Sequence, residues 1–128
     1  MLKEMLIAGC GGFAGTAGRY LVGRIVSAVW HGSMPLGTLA VNVLGCLLFG
    51  LFFGLLENSR LTTSAQSLLL ITGFCGGFTT FSAFAGDMWN LALKGDWASF
   101  ALYLSLSIAS GILCVWAGRV LVRVLSQA

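Results

Sequence analysis

The stretch LGTLAVNVLGCLLFGLFFGLL, residues 36–56, decides the fold class, because it runs for 21 residues without a charged side chain. A helix needs about 20 predominantly apolar residues to cross the hydrocarbon core of a bilayer. Working outward from it, three further apolar stretches of similar length appear, at about Met5–Trp30, Ser64–Leu93 and Trp97–Leu125. We therefore predict an all-α integral membrane protein with four transmembrane helices, forming a single domain over residues 1–128.

The composition of the chain excludes other classes of protein. Hydrophobic residues make up 58% of the 128 residues, charged residues 9%, and the mean hydropathy is +0.95. So few charges cannot cover a soluble globule, and this balance is the reverse of that in a disordered chain. The net charge of +3 is too small and scattered for a nucleic-acid footprint. The four cysteines lie in apolar runs without a CxxC pair, which favours packing over a metal or redox site.

The ends of the four segments indicate how the chain crosses the membrane. Four spans place both termini on one side, and Trp30, Trp89 and Trp97 then lie together at the opposite interface, as in an aromatic belt. The positive charges divide unevenly but weakly between the two sides: Lys3, Arg60, Arg119 and Arg123 against Arg24 and Lys94. A four-to-two division is what a dual-topology protein shows, although many proteins with a single topology also show it.

Two polar side chains within the apolar segments are candidates for function, because polar groups are costly inside a bilayer. Arg19 lies in the middle of the first segment, where insertion of an arginine costs about 2.5–3.5 kcal/mol. It is either a snorkelling or paired arginine, or a positive charge that draws anions into a vestibule. Asn42 in the second segment offers two amide donors, which serve either to join helices or to line an anion pore.

The third segment contains GFCGGFTTFSAF, residues 73–84, in its middle. Adjacent glycines followed by two threonines are poor helix formers and predict a break. Backbone groups freed in hydrocarbon must line a cavity or bind an ion, and broken helices hold cations such as Na⁺ in this way. Beyond the break, Phe81 and Phe84 share a helical face. Their positive ring edges suit a small anion, although such a pair more often serves packing.

The fourth segment carries a polar strip, since Tyr103 and Ser107 are one turn apart on the same face. Serines in membrane helices usually hydrogen bond to carbonyls of their own helix, and pore lining is the alternative. Asp87, three residues after Phe84, is interpreted either as a group at the rim of a pore or as a solvated carboxylate.

Taken together, these motifs resemble the Fluc (CrcB) family of fluoride channels. In the family signature, GG is followed by a hydrophobe and [TS]-T-F-S-T-F, which residues 73–84 resemble. The likeness extends to GGFAGTAGRY at residues 11–20 and PLGTLAVN at residues 35–42, and it covers essentially the whole chain. Three positions depart from the family pattern. Ala83 and Gly111 lack the hydroxyl that the family usually has there, and Asp87 replaces a frequent Glu.

The resemblance implies an antiparallel, dual-topology homodimer with two fluoride pores, embedded in the lipid of a bacterial inner membrane. It implies that the fluoride pathway is formed by Arg19, Asn42, Phe81, Ser82, Phe84, Tyr103 and Ser107. It also implies a structural Na⁺ at the centre of the dimer, held by the backbone carbonyls of Gly76 and Thr79 from both subunits.

The function implied is passive export of fluoride, which lowers its toxicity, and not an enzymatic activity. Fluoride enters acidified cells as HF and is trapped as F⁻, which an inside-negative potential drives out at about 2.3 kcal/mol per charge per 100 mV. The main alternative is a small four-helix multidrug exporter, which needs a carboxylate deep in the first helix. The first segment has only Glu4 at its edge and Arg19 in its middle, which argues for an anion path. The other alternative is a purely structural membrane subunit.

Overall fold

The computed structural model describes residues 1–59 and 63–128, which form helices joined by short turns. The first helix, α1, covers Leu2–Val29, and α2 covers Leu36–Asn58. The last helix, α6, covers Trp97–Gln127. The ends of these three helices lie within three residues of the predicted ones. Arg60, which entered the balance of positive charges, lies outside the described residues.

The third segment, Ser64–Leu93, is a helix broken into pieces. Along the chain it consists of a short helix, α3, an eight-residue π-helix and a second short helix, α4. Two residues outside any helix then precede the longer helix α5. The bounds of these pieces are Ser64–Ser67, Leu68–Cys75, Gly76–Phe78 and Phe81–Leu93. The prediction of an all-α protein with a broken third helix is therefore confirmed.

Three helical stretches of the described chain are long and apolar enough to cross a membrane: Leu36–Asn58, Ser64–Leu93 and Trp97–Gln127. The 28-residue α1 is not among them; it is less apolar than α2 and carries Arg19 and Arg24. Large apolar side chains on the outer faces are exposed, among them Phe13 on α1 and Trp116 on α6. An exposed apolar exterior around a small core is the arrangement expected of a protein surrounded by lipid. The membrane character is confirmed, and the crossing by α1 stays a prediction.

Glycines let the helices approach closely, as is usual where lipid supplies no hydrophobic drive for association. A Cβ atom placed on Gly73 would lie 2.9 Å from the Cα of Gly11 on α1, and one on Gly77 would lie 2.5 Å from the Gly12 carbonyl oxygen. These two glycines of the third segment therefore serve helix packing. A Cβ atom placed on Gly76, between them, would have its nearest neighbour, the Ile71 carbonyl oxygen, at 4.0 Å.

The turns before α2 and before α6 lie together at one end of the molecule. The Ser33 hydroxyl lies 3.3 Å from a carboxylate oxygen of Asp96, which joins the two turns. Asp96 also caps α6 by accepting a hydrogen bond from the Ser99 N–H at 3.2 Å. The hydrogen bonds from Ser99 lower the pKa of the Asp96 carboxyl below its ordinary value. This capped end carries Trp30 and Trp97, in agreement with the predicted aromatic belt.

Candidate functional site

The break in the third segment falls at two threonines. Thr79 and Thr80 have extended backbone (φ −81°, ψ 156° and φ −148°, ψ 115°), whereas Gly76 and Gly77 are helical. The Thr79 hydroxyl and N–H both donate to the Cys75 carbonyl, at 2.8 and 2.9 Å. The Thr80 hydroxyl accepts from the Ala83 N–H at 3.2 Å and so caps α5. The chain leaves the helix just after the glycine pair, because threonine side chains offer the backbone alternative partners.

Asn42 on α2 holds the break open. Its amide nitrogen donates to the Thr80 carbonyl at 3.1 Å, and its amide oxygen accepts from the Thr80 N–H at 2.8 Å. The side chain thus pairs with both polar groups of an extended residue, which hydrocarbon would otherwise leave unsatisfied. The predicted role in joining helices is observed. Because an amide nitrogen carries two hydrogens, one N–H donor is left for a ligand.

Two carbonyl groups at the break lose their usual helical donors. In a continuous α-helix, the Gly76 carbonyl would accept from the Thr80 N–H and the Thr79 carbonyl from the Ala83 N–H. These two N–H groups donate instead to the Asn42 amide oxygen and the Thr80 hydroxyl. Both Gly76 and Thr79 lie in the wall of an open groove. Their carbonyl oxygens are therefore suited to coordinate a cation from outside the chain.

That groove, of about 590 Å³, runs between α2, the third segment and α6 beside the break. It brings together several residues that the sequence indicated for function, and its wall includes Asn42, Gly76, Thr79, Phe81, Phe84 and Ser107. None of the groove-lining residues in the described chain is a carboxylate. Ring edges and hydrogen-bond donors in an apolar wall, without a negative charge, form an environment that favours a small anion.

The two predicted phenylalanines are neighbours in the groove. Their ring centroids lie 5.9 Å apart with the planes tilted by 40°, and the Phe81 side chain is 80% exposed. Phe84 also lies 5.2 Å from the ring of Tyr103. Tyr103 is fully buried behind Phe84, and its hydroxyl donates to Asp87 at 3.1 Å. Tyr103 therefore supports the groove from behind, and Asp87 is a partly exposed carboxylate that accepts this hydrogen bond and is not among the groove-lining residues.

Ser107 differs from Ser27 on α1 and from Ser110 on its own helix. The hydroxyls of Ser27 and Ser110 donate to carbonyls one turn back, of Gly23 and Leu106. The Ser107 hydroxyl oxygen is buried at the groove and has no hydrogen-bond partner among the described residues. An unsatisfied buried hydroxyl costs free energy, so this donor is placed for a ligand.

A model of the family described as CrcB-like protein, Camphor Resistance (CrcB), matches residues 6–119. This range includes the break, the groove and all its walls. The chain belongs to the CrcB family.

Curated relatives match over nearly their whole length. The protein of Chlorobium phaeobacteroides named "Fluoride-specific ion channel FluC" is 43% identical over 119 residues, which are 93% of this chain and 92% of the relative. A protein of Prosthecochloris aestuarii with the same name is 42% identical over 124 residues, 97% of this chain and 96% of the relative. One of Nitratidesulfovibrio vulgaris is 38% identical, over 91% and 94% of the two chains.

Three of the predicted pathway residues of this CrcB-family chain lie away from the groove wall, and Tyr103, behind Phe84, is one of them. Arg19 is half-buried on α1 and has no hydrogen bond or ion pair with any described residue. It does not line the groove. Ser82 is exposed just beyond the break, and its hydroxyl lies 3.3 Å from that of Thr80. The resemblance put both Arg19 and Ser82 on the anion path, and neither is among the residues that line the groove with Phe81 and Asn42.

Two residues of the site were not singled out from the sequence. Thr80 is the partner of Asn42 and the cap of α5, and the signal for it was a threonine directly before an apolar helical run. Cys46 lines the groove one turn after Asn42, and that spacing was its signal. Within residues 1–59 and 63–128, no group of three His, Cys, Asp or Glu side chains could hold a metal ion. Backbone carbonyls are the oxygen ligands that the break offers.

Proposed function

We propose that this chain is a fluoride-specific ion channel, through which F⁻ leaves the cytoplasm passively and its toxicity falls. The observation that carries the proposal is the groove at the helix break, lined by phenylalanine rings and free hydrogen-bond donors without a carboxylate. The relatives that match nearly the whole chain bear the name fluoride-specific ion channel. We place the protein, as a multi-pass protein with four spans, in the inner membrane of a bacterium.

Passage of F⁻ requires the groove to replace water around the ion. The ring edges of Phe81 and Phe84 carry partial positive charge, and such edges attract an anion without binding it as tightly as a full charge. The second N–H of Asn42 and the hydroxyl of Ser107 supply conventional hydrogen bonds. Donors on a dry wall act strongly, since the local dielectric is low. Tyr103 behind Phe84, Ser82 beyond the break and Arg19 in the vestibule complete the proposed pathway.

The driving force is the membrane potential alone, so no energy-coupling residue is needed. An inside-negative potential moves a monovalent anion outward with about 2.3 kcal/mol per 100 mV. Conduction needs binding that is favourable enough for the ion to enter and weak enough for it to leave. Hydrogen-bond donors at fixed positions in the groove wall let the ion move from one such site to the next.

We propose that the channel is a homodimer of two antiparallel copies in dual topology. The groove is open on one side, and Phe81 and Gly76 are exposed on it. A pore needs a second wall, which another copy supplies. A single cysteine at position 59 (Ser59→Cys), in a chain without native cysteines, should react with an impermeant reagent from both sides of the membrane. Reaction from one side alone would exclude dual topology.

We also propose a structural Na⁺ where the two breaks meet. The carbonyls of Gly76 and Thr79, whose helical donors are diverted, would hold it, two from each copy. Hard oxygen ligands suit an alkali ion and not a soft transition metal. The ion would join the subunits and add positive potential near the groove. Exhaustive replacement of Na⁺ by a large organic cation should lower flux, while Thr79→Ser, which keeps the carbonyl, should be mild. Full flux without Na⁺ would contradict this site.

The decisive experiment is anion efflux from liposomes that contain the purified protein. With a K⁺ gradient and valinomycin to set the potential, a fluoride electrode should record rapid F⁻ release, and a chloride electrode should record none. The multidrug-exporter alternative predicts proton-coupled exchange of a cationic dye and no F⁻ release. Absence of F⁻ flux from folded, reconstituted protein would refute the channel.

A further inference from the structure

We propose that the thiol of Cys46 is a donor and positioning group on the fluoride path of this chain, one turn along α2 from Asn42. The inference rests on the proposed function, and it extends the path toward the far end of α6. It starts from the position of Cys46 in the wall: residues four apart on a helix share a face, so Asn42 and Cys46 both face the groove.

Cys46 stands where two grooves join. Beyond the groove at the break, a second groove of about 640 Å³ follows α6 toward Arg119 and Arg123. The residues common to both walls are Cys46, Ser107, Ile108 and Val115. An anion moving from Phe81 and Asn42 toward the two arginines therefore passes Cys46 and Ser107.

The facing helix leaves space for the sulfur atom. A Cβ atom placed on Gly111 of α6 would lie 3.4 Å from Cys46 Sγ, and no other neighbouring atom of the described chain would lie within 4 Å of that Cβ. Gly111 follows Ser107 by one turn and lines the second groove. The bare glycine therefore lets the thiol reach into the seam between α2 and α6.

The groups at this junction are donors without acceptors among residues 1–59 and 63–128. The Ser107 hydroxyl is buried and unpartnered, and the Cys46 thiol makes no hydrogen bond with a described residue. A thiol S–H is a weak donor, and it strengthens when its acceptor is an anion. Two donors facing one seam, with the Arg123 side chain further along the groove, favour a transient F⁻ position between them; the Arg119 guanidinium is already paired with Glu57, at 2.7 Å.

The first test measures access and does not depend on flux. In reconstituted protein that keeps Cys46 alone (Cys10→Ala, Cys75→Ala and Cys114→Ala), a water-soluble cationic methanethiosulfonate should modify the thiol, as read by intact mass. Excess fluoride should slow this modification. The matched control keeps Cys114 alone, which lies on α6 outside both groove walls and should react far more slowly. No modification of Cys46 would overturn the proposal.

The second test measures fluoride flux in the chain that retains its other cysteines. Cys46→Ala should lower flux about tenfold, the effect of one lost hydrogen bond to a charged partner. Cys46→Ser keeps a donor and should stay within about twofold of the unmodified protein. Gly111→Ser combined with Cys46→Ala places a hydroxyl in the space of the lost sulfur and should restore flux, so the two changes are non-additive. Cys114→Ala should have no effect.

The two tests separate this inference from the proposed function. Normal flux in Cys46→Ala, with fluoride flux intact in the unmodified protein, would overturn the role of the thiol and leave the channel standing. Labelling of Cys46 without any fluoride flux in the unmodified protein would overturn the channel, and the role of the thiol with it.

Discussion

The third segment presents two faces built from the same kinds of residue, and they have opposite surroundings. On the face toward α1, Gly77 has no room for a side chain, and Phe78 is 4% exposed. On the face toward the groove, Gly76 has open space, and Phe81 is 80% exposed. Only the two extended residues Thr79 and Thr80 separate Phe78 from Phe81 in the chain.

This difference shows that residue type alone does not assign a role in a membrane helix. The face toward α1 is completed by its own chain, so its residues contribute stability. The groove face is left incomplete by its own chain, so its residues are available to an ion or to a second copy. Making the same substitution at matched residues on the two faces tests this difference.

The largest effect is expected from valine at the two glycines. Gly77→Val should prevent folding, because its Cβ would meet the α1 backbone at 2.5 Å and force the helices apart. Gly76→Val should fold, since the nearest atom of its own chain would lie 4.0 Å from the added Cβ. Because another copy is proposed to cover this face, the variant should not dimerise and should not conduct fluoride. Yield, helical circular dichroism, cross-linking and fluoride efflux distinguish the two. Normal flux in Gly76→Val would mean that nothing packs closely on the groove face.

The next largest effect is expected from isoleucine at the groove phenylalanines. Phe81→Ile and Phe84→Ile keep bulk and remove the ring edge, so flux should fall about a hundredfold, equivalent to ~2.7 kcal/mol of lost stabilisation. Phe78→Ile is the matched control on the packed face; it should lower Tm by a few degrees and keep flux. Efflux and thermal unfolding are measured on all three. Undiminished flux in the combined Phe81 and Phe84 variant would remove the rings from the pathway.

A smaller effect, on both stability and flux, is expected from Asn42→Ala. The change leaves the N–H and carbonyl of Thr80 unpaired, at about 1–3 kcal/mol for each buried group. The break should shift toward helix, Tm should fall, and flux should fall with it. Asn58→Ala is the control, because among the described residues that amide makes a single, exposed hydrogen bond, with Ser126 at the end of α6. An unchanged Tm in Asn42→Ala would show that the break is held by other means.

The smallest effect is expected at Asp96, which lies on neither face. Its carboxylate caps α6, and the hydrogen bonds from Ser99 lower its pKa. A group with a lowered folded-state pKa stabilises above its unfolded pKa of about 3.9, and that contribution is lost as the pH falls through the lowered value. The Tm advantage over Asp96→Asn should therefore be slight at pH 7 and shrink further below pH ~4, since asparagine also caps well. Fluoride flux at pH 7 should match in both proteins, and a large difference would connect this turn to the pathway.

The sequence predicted the helices closely, and it located the break to within a few residues. Apolar runs of sufficient length leave few alternatives in a bilayer, because every backbone group must be satisfied within the segment. The same reasoning placed the break over Gly76–Thr79, whereas the glycines are still helical and the extended residues are Thr79 and Thr80. The reason is a partner 38 residues away in the chain: the Asn42 amide supplies the hydrogen bonds that make an extended pair of residues tolerable there.

What the sequence determined by itself was the class of the protein, the order of its helices and several of the residues that meet in the groove. These follow from local properties: hydrophobicity, helical spacing and the cost of a polar residue in lipid. Only the tertiary structure decided which equivalent residues face inward and which remain open. It buried Tyr103 against Asp87, left the Ser107 hydroxyl without a partner in the described part of the chain and set Arg19 apart from the groove wall. These outcomes depend on how helices far apart in sequence rotate against one another, and no local pattern records that rotation.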